Sequence, residues 1–386
     1  MKTTFPIAVP QHLTGKQLLV LTVAFLFSAI LGLYSTRCGP LITADSLNYL
    51  SAAVSFKRDF TFLSTDGTYY TYWPPLLPII LSFFSQPLVA LLWIHLLTLL
   101  VFTFTSWNLA QMFFNTKFSQ NLFFILSIVN VHIIMIFSFV WSELIFMTIA
   151  FLNLYCLLKI KERRSYFVAA LITGFFLCLQ RNAGLFWIMG SCCWIVFIHE
   201  GKIRKKLAMA VTLFITSTIG LWIWNIHRTF FVPADFAFYR LSFFNGFWQN
   251  LYLAGISIGG IFAPVSYLSI SGYLFIVALS VLIFFSLRDC HPQFTLVSFI
   301  VIFYIGCFVS LGSLDQFEMD RYFSVVVPLI IALFLRPIDG LFSWLKDRWR
   351  LGLVAVIMGW FLFPVIRTLN NAERWHERSC SQEINE

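Results

Sequence analysis

Long apolar runs recur along this chain with few charges between them. They lie at about residues 17–35, 87–113, 121–140, 142–158, 166–180, 183–198, 207–226, 270–287, 293–312, 323–336 and 351–366. A helix crossing the hydrocarbon core needs about 20 such residues, and only helices or closed barrels satisfy their own backbone polar groups there. The runs therefore predict an all-α polytopic membrane protein of about eleven spans. Composition agrees: 59% of the 386 residues are hydrophobic and 11% are charged. A soluble chain carries about 25% charged residues, so a soluble enzyme with a polar surface is excluded. The first run follows Lys2 and Lys16 and is not followed by a small-x-small cleavage pattern before Arg37. It reads as an uncleaved span rather than a signal peptide. The expectation is one transmembrane domain over 1–386, with no separate soluble domain and no internal repeat.

The net charge of +9 is first a topological label. With a cytoplasmic N-terminus, sixteen of the 26 Lys and Arg residues fall on the inside and ten on the outside. The clusters KIKERR (159–164) and KIRKK (202–206) supply most of that bias, in the sense of the positive-inside rule. No nucleic-acid partner is needed to explain the charge. This orientation puts a long loop, about 35–75, on the outside, together with 227–250 and the acidic segment 312–322. Long structured loops carry function, so any chemistry is expected on the outer face. Segment 76–86 reads as a short interfacial helix. The glycine-rich stretch 251–269 reads as interfacial or re-entrant.

Ionisable residues are scarce enough to follow one by one. In the first outer loop, Leu47, Leu50 and Val54 recur at helical spacing after Asp45, which predicts a helix starting near Asp45. Asp45 or Ser46 would then cap it, and one carboxylate can cap and still face a substrate. Tyr49, one turn on, shares that face. Glu143 in WSELIF, Arg181 in QRNAGL and Arg321 in MDRYF each stand at the outer end of an apolar run. Each alone reads equally as an ordinary interface charge. Together with Asp45 they fall at one membrane level. His95 and His132 lie within apolar runs and read as residues hydrogen-bonded inside the bundle. Of the eight cysteines, Cys38 and Cys380 fall outside the apolar runs, and the sequence leaves open whether they pair. No CxxC, HExxH, Walker A, GxGxxG or GxSxG pattern occurs, so zinc-protease, P-loop and α/β-hydrolase chemistry lacks support.

The ordered segments ADSLNYLSAA, TYWPPLLPIILSFF, WSELIFMTIAFL, QRNAGL and DRYFSVVVPL resemble the GT-C membrane glycosyltransferases. The likeness is to bacterial relatives of the protein O-mannosyltransferases and the lipid A aminoarabinose transferase, and it spreads over about residues 17–336. It implies a GT-C-like bundle with a helical first outer loop, set in a bacterial inner membrane. It also implies a polyprenyl-phosphate sugar donor, a lipid, glycan or protein acceptor, and Asp45 as the catalytic acid residue. Where some members have an Asp-Glu pair, this chain has Asp45-Ser46. A divalent metal is therefore conceivable but has no clear ligand set, and no cofactor is expected.

The chemistry that follows is a single displacement. Asp45 takes the proton of an acceptor hydroxyl as that oxygen attacks the anomeric carbon. Arg321, Arg181 or the Lys57–Arg58 pair neutralises the departing lipid phosphate. Tyr49, Glu143 and Tyr322 complete the expected substrate-binding set. Competing readings are a lipid-linked substrate transporter or flippase, an O-antigen polymerase or ligase, and a non-catalytic assembly partner. A transporter would place its ionisable groups near the bilayer midplane.

Overall fold

The computed structural model describes residues 14–71, 73–198, 201–232, 244–264 and 270–383. Sixteen helices follow one another: α1 (Gly15–Ser35), α2 (Ala44–Asp59), α3 (Leu76–Ser82), α4 (Pro87–Phe113), α5 (Lys117–Ile128), α6 (Val131–Ser138), α7 (Glu143–Leu158), α8 (Arg164–Gln180), α9 (Gly184–Phe197), α10 (Ile203–Phe231), α11 (Phe247–Phe262), α12 (Ser271–Arg288), α13 (Pro292–Ser310), α14 (Gln316–Phe323), α15 (Val327–Trp344) and α16 (Asp347–Glu383). No strand occurs among the described residues. The all-α polytopic class expected from the runs is what forms.

Eight helical runs are long and apolar enough to cross a membrane, with α5 and α6 counting as one. The apolar helices α7, α8 and α9 have 14 to 17 residues and fall short of an ordinary crossing of about 20. The run expected over 121–140 is broken at Asn130. Its Oδ1 accepts from the backbone N–H groups of His132 and Ile133, and its Nδ2 donates to the Leu126 carbonyl. One side chain thus closes α5 and caps α6. The last run is longer than hydropathy suggested: α16 has 37 residues and continues polar well past 366.

Stretch 251–269 resolves in part. Its first half belongs to α11, which buries Asn250, Ala254, Ser257, Ile258 and Ile261. That spacing of three and four is a helix face turned to protein, here toward α12, α13 and α14. Residues 265–269 lie outside the described residues. So does much of the expected 227–250 loop, Arg240 included, while α10 runs on to Phe231.

Burial sorts the apolar residues into two classes. Trp141, Phe102, Phe123, Phe137 and Phe146 are fully enclosed. Leu19, Trp222, Val277 and Val356 are more than half exposed, on α1, α10, α12 and α16. So much exposed apolar surface is unusual for a protein in water and suits contact with lipid chains.

Close helix contacts depend on missing side chains. A Cβ added at Gly190 of α9 would sit 2.7 Å from the Ile300 Cα of α13, which backbone cannot relieve. At Gly306 of α13 nothing lies within 4 Å. Gly190→Val is therefore expected to lower the unfolding midpoint of the purified protein in detergent by several degrees, whereas Gly306→Val leaves it near wild type.

Candidate active site

Three breaks in the helical pattern meet at one place: the link before α2, the link between α6 and α7, and α14. The Leu41 N–H donates to the Ser138 carbonyl and the Val140 N–H to the Leu41 carbonyl, at 2.8 and 3.0 Å. This short parallel pairing of Leu41 with Phe139 fixes the start of α2 against the start of α7. Residues 44 and 143 are then the first of their helices, so acids in these first turns also meet the favourable end of a helix dipole.

The cap of α2 differs from expectation. Thr43 is the capping residue, and its Oγ1 accepts from the Ser46 N–H. Trp141 Nε1 donates to the same Oγ1 at 3.0 Å. Asp45 and Ser46 are therefore not the cap. The Asp45 carboxylate, freed from that duty, accepts from Arg321 Nη1 at 2.6 Å.

Glu143 is the hub. Its Oε1 accepts from both Arg321 Nε and Arg181 Nη1. Arg181 caps the C-terminus of α8 and also donates to Ser142 Oγ at 3.1 Å. Arg321 comes from α14, which starts where Asp315 accepts from the Glu318 N–H. Its guanidinium lies 4.3 Å from the Trp141 ring centroid, a cation–π contact. Glu318 approaches Arg321 Nη1 at 3.5 Å. The chain of charges runs Arg181, Glu143, Arg321, Asp45. The first three side chains are 6%, 1% and 1% exposed, against 23% for Asp45. Asp45 is thus an accessible end of this buried chain of charge, as is Glu318, whose side chain is 33% exposed.

The remaining expected residues divide. Tyr49 is buried beside the cluster, within 3.4 Å of Ser142 Oγ and packed on Trp73 and Tyr70. Burial pushes its phenol up to about 12, so it stays protonated at any physiological pH. Tyr322 lies under both guanidinium groups, 5.5 Å from Arg181 and 5.7 Å from Arg321. Lys57 and Arg58 sit twelve and thirteen residues along α2 from Asp45, about 18–20 Å at 1.5 Å per residue. Lys57 donates to the Phe84 carbonyl, and Arg58 pairs with Asp59 at the surface. The structure does not bring these two to Asp45. Trp141 and Glu318 join the site without having been singled out; the neighbours Trp141 and Glu143 in WSELIF were the available signal.

Among the described residues, Asp45 and Glu143 belong to no close group of three metal ligands: Asp45 Oδ2 and Glu143 Oε1 are held by guanidinium groups, while Glu143 Oε2 is buried without a hydrogen-bond partner. The metal-like grouping among those residues is Cys38, His376 and Cys380, whose cysteines form a disulfide. His95 Nδ1 is within 3.0 Å of the Phe137 carbonyl, whereas His95 Nε2 and both ring nitrogens of His132 are buried without a hydrogen-bond partner, so the expected bonding inside the bundle is met only at His95 Nδ1.

Removing one member of a buried charge cluster leaves its partner unpaired, at a cost of about 3–5 kcal/mol. Glu143→Ala, which strands two arginines, is expected to lose that much stability in unfolding measurements in detergent. Asp45→Asn, at an accessible end, is expected to lose far less.

No protein-family profile matches the chain, and no curated protein matches it in sequence. Solved structures do match. The crystal structure of ArnT from Cupriavidus metallidurans bound to undecaprenyl phosphate superposes with TM-score 0.58 at 14% identity, covering 89% of this chain and 63% of that one. The apo form of the same protein gives 0.57. The oligosaccharyltransferase of Archaeoglobus fulgidus gives 0.55 at 14% identity, covering 92% of this chain and 56% of that one. The chain thus spans less than two thirds of the length of these neighbours. Across most of its own length, it shares the fold of ArnT and of that oligosaccharyltransferase.

Proposed function

We propose that this protein is a membrane glycosyltransferase that moves a sugar from a polyprenyl-phosphate donor to an acceptor hydroxyl at the outer face. The observation that carries the reading is the Asp45 carboxylate, held by Arg321 at an open end of a buried charge network. The bound undecaprenyl phosphate of the ArnT structure supports the class of donor. A buried, hydrogen-bonded network holds a reactive group in fixed geometry. Here it holds Asp45 through one oxygen and turns the other to the substrate.

The reaction balances without a metal or cofactor. The acceptor oxygen bonds to the anomeric carbon and passes its proton to Asp45. The bond from that carbon to the phosphate oxygen breaks, and the electron pair leaves with the lipid phosphate. The leaving group is already a good anion, so no strong general acid is needed. One displacement inverts the sugar carbon. On this reading Arg321 holds the base, and its burial among three carboxylate partners, Asp45, Glu143 and Glu318, makes it a poor phosphate ligand, contrary to the role first expected of it.

The short helices fit an outer-face site. A helix of 16 residues is about 24 Å long, against about 30 Å of hydrocarbon. With the basic KIKERR cluster at the inner boundary, α7 and α8 end below the outer surface. Glu143 and Arg181 then lie buried beneath that surface, and Asp45 is the partly exposed group beside them.

Asp45→Asn is expected to cut transfer at least about 100-fold, the usual contribution of a general base, while the unfolding midpoint stays within a few degrees of wild type. Reconstituted protein with a polyprenyl-phosphate sugar and a range of acceptors measures this. Full activity in Asp45→Asn would remove Asp45 from the mechanism.

A further inference from the structure

Resting on the glycosyltransferase reading, the charge balance of the site raises a question. Asp45, Glu143 and Glu318 carry three negative charges, and Arg181 and Arg321 carry two positive ones. A donor phosphate approaching Asp45 would meet a net negative cluster whose two cations are interior and, apart from the buried Arg321 Nη2, engaged. A further cation must face the phosphate. Lys57 and Arg58 are too far along α2.

The end of α16 supplies one. Ala372, Trp375 and Ser379 are buried, at helical spacing. His376 packs on Tyr34 with ring centroids 4.5 Å apart. Ser379 Oγ donates to the Gly39 carbonyl at 2.6 Å, and Cys380 is disulfide-bonded to Cys38, 342 residues away in sequence. This face fastens α16 onto the end of α1 and the link that leads to α2. Arg378 stands off that face and is exposed. Its guanidinium lies 5.9 Å from the Phe139 ring centroid. Phe139 stacks on Trp141 at 4.1 Å, and Trp141 carries Arg321. Arg378 therefore shares an aromatic floor with the arginine that holds Asp45. No carboxylate pairs with it among the described residues. Glu373, Arg374 and Glu377 are exposed on the same turns, so the helix end carries both signs of charge and is not a general basic patch. What distinguishes Arg378 is its direction toward Phe139.

We infer that Arg378, held in place by the Cys38–Cys380 disulfide, is the cation that binds the phosphate of the lipid-linked donor. A guanidinium suits that task because it offers two parallel donors to phosphate oxygens. The disulfide suits it because a long helix end is otherwise free to fray.

The test uses full-length protein in nanodiscs, with polyprenyl phosphate as the probe for binding and its sugar conjugate for transfer. Arg378→Ala is expected to weaken polyprenyl-phosphate binding at least tenfold and to raise the donor KM by a similar factor, with a smaller fall in kcat. Arg378→Lys should recover part of the affinity, which a purely packing role for the side chain would not require. Cys38→Ser with Cys380→Ser should weaken binding similarly, and adding Arg378→Ala should then have little further effect. Inorganic phosphate at millimolar concentration should compete poorly. Equal competition would overturn the assignment to a lipid headgroup. If wild type binds and transfers while Arg378→Ala keeps both constants, Arg378 is not the phosphate ligand and the glycosyltransferase reading survives. If wild type neither binds the lipid phosphate nor transfers, that reading falls as well. Should Arg378→Ala fold poorly, Arg378→Gln with a wild-type unfolding midpoint replaces it.

Discussion

One carboxylate shared between two arginines organises one end of this bundle. Glu143 Oε1 takes hydrogen bonds from Arg181 and Arg321, which arrive from α8 and α14. Each of these charges is prohibitively costly to bury alone. Together they oblige three distant segments to meet, and Arg321 extends the arrangement to Asp45 on α2. The aromatic floor beneath, Trp141 and Phe139, excludes water and strengthens each electrostatic contact by lowering the local dielectric. Stability and site geometry are therefore one problem here. A substitution at Glu143 disturbs the fold and the presentation of Asp45 together.

The breaks in helical structure are where the site is built. Transmembrane helices satisfy their own backbone groups, so an exposed carboxylate is most easily offered from a helix end. Thr43 caps α2, and the Leu41–Phe139 bridge ties that end to the start of α7. The same backbone region is clasped from the other side by α16 through Ser379 and the disulfide. First and last helices thereby hold one loop, and the loop holds Asp45.

Much of the fold was legible because hydropathy is additive along a helix. Boundaries such as 87–113 for α4 follow from the run of apolar residues alone. Hydropathy failed where a single polar atom decides, as at Asn130, or where a helix leaves lipid and continues as a polar rod, as in the second half of α16. Asp45, Glu143, Arg181 and Arg321 stood out because charges are rare in such a chain and costly to place idly. Their pairing was invisible, because it depends on which helices are neighbours. So were the true cap at Thr43, the distance of Lys57 and Arg58 from Asp45, and the part played by Trp141.

The sequence by itself determined an all-helical membrane protein with its scarce ionisable groups gathered toward one level, since the cost of burying backbone and charge in lipid is local to each segment. Only the tertiary structure decided which charge meets which. It closed Cys38 on Cys380 and turned Arg321 from a free cation into the partner of three acids. It also left Asp45 and Glu318 as the partly exposed acids at the edge of the buried Arg181–Glu143–Arg321 chain. Those outcomes rest on contacts between residues up to 342 positions apart, and no local pattern encodes them.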